Sequence, residues 1–252
     1  MKIVIIGGTG LIGSQLVNIL AQQQHEVIAA SPNTGVNTLT GEGLEEVLKT
    51  ANVVVDVSNS PSFADEPVMN FFKVSNENLM RAEKAAGVQH HIALSVVGTE
   101  KMQDGGYFRA KLVQENLIKA SGIPFTIVHA TQFFEFAGGI VAMSTSDDGK
   151  VRLSDALIQP IASKDVAAFL AKIATESPKN KMVEIGGPEQ FRLDEWIKIY
   201  QQGTKKTLEV ITDANATYSG VTLHKTTLTP ENPVYLGESE YVDWISKPEN
   251  QR

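Results

Sequence analysis

The chain has no cysteine. That removes disulfides and thiol nucleophiles, argues against a zinc site, and gives no sign of secretion. It has no excess of positive charge either. With 22 Lys and Arg against 29 Asp and Glu, the formal net charge is −7, which speaks against a nucleic-acid partner, whose phosphates call for a basic stripe. No apolar run approaches the roughly 18 residues of a membrane-crossing helix. No His-x-x-x-His pair or acidic cluster marks a metal site, and no Gly-x-Ser-x-Gly turn marks a hydrolase nucleophile. What remains is a chain of 252 residues, 42% hydrophobic and 20% charged. That is enough for one globular domain with an appended lobe.

What is present starts at the N-terminus. Ile3-Val4-Ile5-Ile6 is a short β-branched run of the kind that forms a buried strand. Gly7-Gly8-Thr9-Gly10-Leu11-Ile12-Gly13 follows, and then the apolar helical spacing of Leu16, Val17, Ile19 and Leu20. Strand, glycine turn, helix is the context of a dinucleotide-binding loop rather than of a secretory leader. Gly7 lets the chain turn off the strand, Gly10 removes the side chain where a pyrophosphate approaches, and Gly13 lets the helix pack on the sheet. The helix N-terminus then holds the phosphates.

Further strands are expected at His25–Ala30, Val53–Val57, His91–Val96, Phe125–Ala130 and Met182–Ile185, with helices between them. A third strand should lie at Val36–Leu39, although Gly35, Gly41 and Gly43 mark it poorly. Alternation of this kind implies α/β architecture, a Rossmann-type doubly wound parallel sheet. Residues 1–187 are expected to form an NAD(P)-binding Rossmann domain. Residues 188–252, where the pattern turns polar and irregular, are expected to form a small C-terminal lobe that contributes to the substrate pocket.

Ligands bind beyond the carboxyl ends of such strands. The informative pair there is Tyr107 and Lys111, four residues apart on one helix face. A phenol titrates near pH ~10, and a neighbouring ammonium favours the phenolate, easing proton exchange. Ser95, at a strand end, could bond a substrate oxygen. Ser31 stands where NAD-preferring sites place an acidic residue, which favours NADP(H) over NAD(H). Ser58 and Asn59 should run beside the adenosine or ribose. Gln132, Phe133 and Phe134 are candidates for the substrate pocket, bordered by Gln159 and Pro160. Asp165 should cap or start a helix. Of the histidines, only His129 lies near enough to a strand end to approach the site.

Taken together, Gly7–Gly13, Leu94–Gly98, Tyr107–Lys111, Ala130–Phe133 and Ile161–Ala167 resemble the short-chain dehydrogenase/reductase superfamily. More closely they resemble its atypical, NmrA-like branch of NAD(P)-binding proteins, over roughly residues 1–190. The resemblance implies a catalytic set of Ser95, Tyr107 and Lys111, with Ser95 orienting the substrate oxygen and Tyr107 transferring the proton. Lys111 would bind the nicotinamide ribose and lower the tyrosine pKa. Cofactor binding would involve Gly7, Thr9, Gly10, Leu11, Ile12, Gly13, Ser31, Ser58, Asn59 and Lys111. The expected activity is NAD(P)H-dependent reduction of a small carbonyl or quinone-like substrate. The alternative is a redox sensor or regulatory protein of the NmrA-like kind, without turnover. A cytoplasmic monomer or homodimer is expected, acting on a small molecule, with no nucleic acid, membrane or metal partner.

Overall fold

The computed structural model describes residues 1–207 and 209–251. In chain order the elements are β1 (Lys2–Ile6), α1 (Leu11–Gln22), β2 (Glu26–Ala30), α2 (Leu44–Leu48), β3 (Val53–Asp56), α3 (Asp65–Ala86), β4 (His90–Val96), α4 (Gly106–Ala120) and β5 (Phe125–Ala130). Then come α5 (Ala137–Ser144), β6 (Val151–Leu153), β7 (Leu157–Ile158), α6 (Ser163–Ala174), β8 (Lys181–Gly186), β9 (Phe191–Arg192) and α7 (Leu193–Thr204). The chain ends with β10 (Val210–Thr212), β11 (Thr217–Tyr218), β12 (Val221–Thr222), β13 (Pro233–Leu236) and α8 (Tyr241–Ile245).

Seven strands form one sheet in the order β13-β8-β5-β4-β3-β1-β2. β1 pairs in parallel with β2 on one side and β3 on the other, and β3 pairs in parallel with β4. The sequence of strands therefore reverses at β1, and a doubly wound sheet binds its ligand outside the carboxyl ends at that reversal. Ile3, Val4, Ile5, Val54 and Val55 are wholly buried, as expected for central strands covered on both faces. α/β architecture of the Rossmann type is thus established.

The strand expected at Val36–Leu39 is absent, and the sheet ends at β2. Gly35, Gly41 and Gly43 all adopt left-handed φ angles, between 74° and 82°. The chain between them closes on itself, with Asn37 N donating to Glu42 O and Gly41 N to Asn37 O. A backbone bonded internally in this way has no ladder to offer the edge of β2.

Contacts divide the chain into two compact units. The first comprises Met1–Ser95, Gly106–His129 and Val166–Val183. Its apolar core joins Val4, Ile6, Leu44, Leu48, Val54, Leu79, Ile118 and Ile127. The second comprises Val96–Gly105, Ala130–Asp165 and residues 184–251. An aromatic cluster anchors it: Tyr241 lies 4.9 Å from Phe134 and 5.2 Å from Trp196 between ring centroids, and is stacked on Trp244 at 5.9 Å. The C-terminal segment also returns a strand, since β13 pairs in parallel with Glu184–Gly186 of β8. No helix among the described residues is long and apolar enough to cross a membrane.

Candidate active site

The loop after β1 is shaped by what it cannot accommodate. Gly7, at φ 79°, turns the chain, and its N–H donates to Ala30 O at 2.9 Å. A Cβ on Gly7 would lie 2.9 Å from Ser58 Cα, and one on Gly13 only 2.2 Å from Gly7 O. At Gly8 a Cβ would come within 2.6 Å of Ala29 Cα, which explains the doubled glycine. Gly10 is the N-cap of α1 and offers no side chain to its free N–H groups, and the first turn carries no acid. Those N–H groups and the positive end of a 12-residue helix are left for an anion. Thr9, Gly10 and Leu11 are exposed, whereas Ile12 and Gly13 are buried against the sheet. The cradle fits a pyrophosphate, and with it a dinucleotide.

Beside the loop, β3 ends in the buried Asp56. Its Oδ1 accepts from Ser58 N at 2.9 Å and Ser58 Oγ at 2.6 Å, so the turn carrying Ser58 and the exposed Asn59 is fixed by a carboxylate. At the end of β2, Ser31 is buried and caps a 3-10 turn over Pro32–Thr34. Thr34 Oγ1 accepts from Ser31 N and donates to Ala29 O, each at 2.9 Å.

Tyr107 lies in the first turn of α4, half-buried. Its ring centroid is 5.5 Å from that of the exposed Phe63 and 5.8 Å, edge-on, from that of the buried Phe72. Gly106 before it is pressed on Asp65, where a Cβ would meet Oδ1 at 2.0 Å. Arg109 forms an ion pair with the same carboxylate at 2.6 Å. These contacts hold the start of α4 against the start of α3.

One turn on, Lys111 is 2% exposed. Its ammonium donates to Leu94 O at 2.9 Å and to Gln114 Oε1, and it lies 4.5 Å from the centre of the Phe72 ring. Burial pulls its pKa down to about 8, against the pull of Asp56 and Glu115. Gln114, itself buried, passes its Nε2 to Asp56 Oδ2 at 2.9 Å.

Ser95 is also inside. Its Oγ donates to Glu115 Oε1 at 2.7 Å, and His129 Nε2 donates to the same oxygen at 2.7 Å. Lys119 reaches the other oxygen at 3.3 Å. Burial alone would raise the pKa of Glu115, but the hydrogen bonds from His129 and Ser95, with the charge of Lys119, bring it to about 2. An ionised carboxylate only accepts, so the Ser95 hydrogen points at Glu115.

In the first unit Ser95 lies on β4 and Tyr107 and Lys111 lie on α4, and both Ser95 and Lys111 are tied into internal bonds. Gln114 and Glu115 are partners that sequence reasoning passed over. Their signal lay in α4 itself: Lys111, Gln114 and Glu115 share the helical face of Ile118, and polar groups on a buried face demand partners.

In the second unit, Gln132 is 5% exposed. Phe133 is half-buried and stacks on the exposed Phe136 at 5.1 Å, whereas Phe134 is held in the aromatic cluster at 1% exposure. Asp165 sits in the first turn of α6 and accepts from Ser239 N at 2.9 Å. Among the described residues no group of three His, Asp or Glu is placed to hold a metal ion.

The comparisons with known proteins agree with this geometry. Residues 7–177 match the family model described as NAD(P)H-binding. The photosystem II assembly factor Ycf39 of Cyanophora paradoxa is 24% identical over 80% of this chain and 68% of its own. The isoflavone reductase homolog A622-like of Nicotiana tabacum is 28% identical over 82% of this chain and 76% of its own. Among solved structures, the NADPH-dependent quinone oxidoreductase QOR2 of Escherichia coli, complexed with NADPH, superposes with a TM-score of 0.71. It does so at 16% identity, over 97% of this chain and 98% of that one. A dTDP-4-dehydrorhamnose reductase of Clostridium acetobutylicum superposes at 0.69, with 18% identity over 90% and 91%. The structures share the fold, and the family model spans more than half of the sequence. The chain belongs to the NAD(P)H-binding family.

Proposed function

We propose that the chain is an NAD(P)H-dependent oxidoreductase that reduces a small carbonyl or quinone-like compound, with Tyr107 as proton donor and NADP(H) preferred over NAD(H). The observation that carries this reading is the half-exposed Tyr107 one helical turn before Lys111, with the Phe72 ring beside both, in the unit that bears the glycine cradle. NAD(P)H, when bound, supplies the hydride. Gly7, Thr9, Gly10, Leu11, Ile12 and Gly13 hold the pyrophosphate, with Ser31, Ser58 and Asn59 along the adenosine side. The Tyr107 hydroxyl releases its proton to the substrate oxygen, and the Lys111 charge favours the phenolate left behind. Gln132 and Phe133 are the second unit's candidates for substrate contact. The likeness to a quinone oxidoreductase and to isoflavone reductase homologues supports this reaction class.

Tyr107→Phe tests the assignment. On a substrate identified from an aldehyde, ketone and quinone panel, turnover should fall at least about 100-fold. NADPH affinity by fluorescence titration should stay within a few-fold of wild type. Unchanged turnover removes Tyr107 from the chemistry.

A second reading, a cofactor-sensing protein without turnover, draws on one observation: the Ser95 hydroxyl is committed to Glu115 and buried. It expects different affinities for the reduced and oxidised cofactor and no NADPH consumption across the same panel. Steady consumption with any member of the panel eliminates it.

A further inference from the structure

We propose that Gln114 is a positioning residue for Lys111, joining its ammonium to the Asp56 carboxylate and so keeping that ammonium charged inside the core beneath β4. The inference deepens the reading of Lys111 and Tyr107 given above and rests on it only for its catalytic consequence. Three observations carry the geometry. Gln114 is 1% exposed, and its two amide atoms face opposite ways in chemical sense, Oε1 accepting from Lys111 and Nε2 donating to Asp56. Asp56 already takes Ser58 N and Oγ on its other oxygen, so its carboxylate is oriented before Gln114 reaches it. Lys111 has its remaining contacts settled by the Leu94 carbonyl and the Phe72 face.

The polarity of this chain of bonds is forced. A carboxylate only accepts, so Gln114 must present its NH2 to Asp56 and its oxygen to Lys111. An ammonium buried without acceptors would lose its proton, and the amide oxygen supplies one. The charged groups acting on Lys111 are Asp56, at the end of β3, and Glu115, on α4 itself. α3 faces it with the uncharged ring of Phe72, and β4 with the Leu94 carbonyl. Asp56 acts in turn on the buried pair Glu83 and His91, between α3 and β4. The turn bearing Ser58 and the helix bearing Tyr107 are thereby coupled through one amide across 58 positions of sequence.

The test reads Lys111 directly in the cofactor-free full chain, by NMR of protein labelled with 13C-lysine, with the Lys111 Cε signal assigned by its loss in Lys111→Arg. Gln114→Met removes acceptor and donor together and should lower the Lys111 titration midpoint by about one pH unit. Gln114→Glu brings a carboxylate to the ammonium and should raise it. Asp56→Asn removes the remote charge and should lower it, and Gln114→Asn, too short to join the two groups, should lower it as well and decides the matter if Gln114→Met does not fold. A merely structural glutamine would change thermal stability and leave these midpoints together. Unchanged midpoints in folded variants overturn the proposal. The two readings fail separately. Displaced midpoints in a protein that consumes no NADPH uphold the positioning role and sink the reductase. Unchanged midpoints with turnover abolished by Tyr107→Phe do the reverse.

Discussion

The carboxylate of Glu115 offers a stability measurement whose size and sign follow from its surroundings. In the folded chain its pKa lies at about 2, against an ordinary value of 4.5. A gap of about 2.5 units, at about 1.4 kcal/mol per unit, makes the ionised form worth about 3 kcal/mol to the folded state. Because the folded pKa is the lower one, this contribution is complete above pH 4.5 and disappears as the pH falls toward 2. At pH 3 less than half of it should remain. Glu115→Gln keeps the size of the side chain and leaves an oxygen to accept from Ser95 and His129, but it has no charge to lose. Urea unfolding followed by circular dichroism should find the variant about 3 kcal/mol less stable at pH 7. The gap between the two proteins should narrow by more than half at pH 3. Other acidic groups titrate equally in both and cancel in the difference. A gap as wide at pH 3 as at pH 7 would refute the account, because it would show that the charge of Glu115 contributes nothing.

Two further outcomes follow from the packing. Gly13→Ala places a methyl group 2.2 Å from Gly7 O, whereas Gly10→Ala meets nothing nearer than 3.3 Å. Thermal unfolding should therefore be depressed in the first and near wild type in the second, while NADPH fluorescence titration shows weakened binding in both. A Gly10→Ala variant that binds as wild type does would remove the pyrophosphate from this loop. Glu83 and His91, both wholly buried and 2.8 Å apart, form a pair whose halves depend on each other. Glu83→Leu alone should cost about 3–5 kcal/mol in urea unfolding. The double variant Glu83→Leu, His91→Leu should recover most of that, and equal losses would argue against the pair.

How much of this could be read from sequence depended on the range of the interactions. The cradle was legible because β1, the glycines and α1 are consecutive, and Gly10 and Gly13 answer to Gly7 close along the chain. The doubled Gly7-Gly8 was only half read: Gly8 is required by Ala29 on the neighbouring strand, which no local pattern reports. The strand expected at Val36–Leu39 failed for a local reason as well. Three glycines in left-handed conformation outweighed the apolar Val36 and Leu39, and the turn satisfied its own backbone.

The site divides along the same line. Tyr107 and Lys111 announce themselves by a spacing of four, but where the lysine points is decided by Leu94, Phe72 and Gln114 together. Gln114 is in turn decided by a carboxylate 58 positions earlier. Ser95 stands at its strand end as expected, yet its hydroxyl turns inward to an acid that also takes a histidine from β5. Spacing selects which residues can meet, whereas burial decides what they must then do. A charge taken out of water keeps its ionisation, and a hydroxyl its low energy, only where hydrogen-bond partners replace the lost water. This explains why a helix with a lysine, a glutamine and a glutamate on its inner face is specified by three strands, β3, β4 and β5.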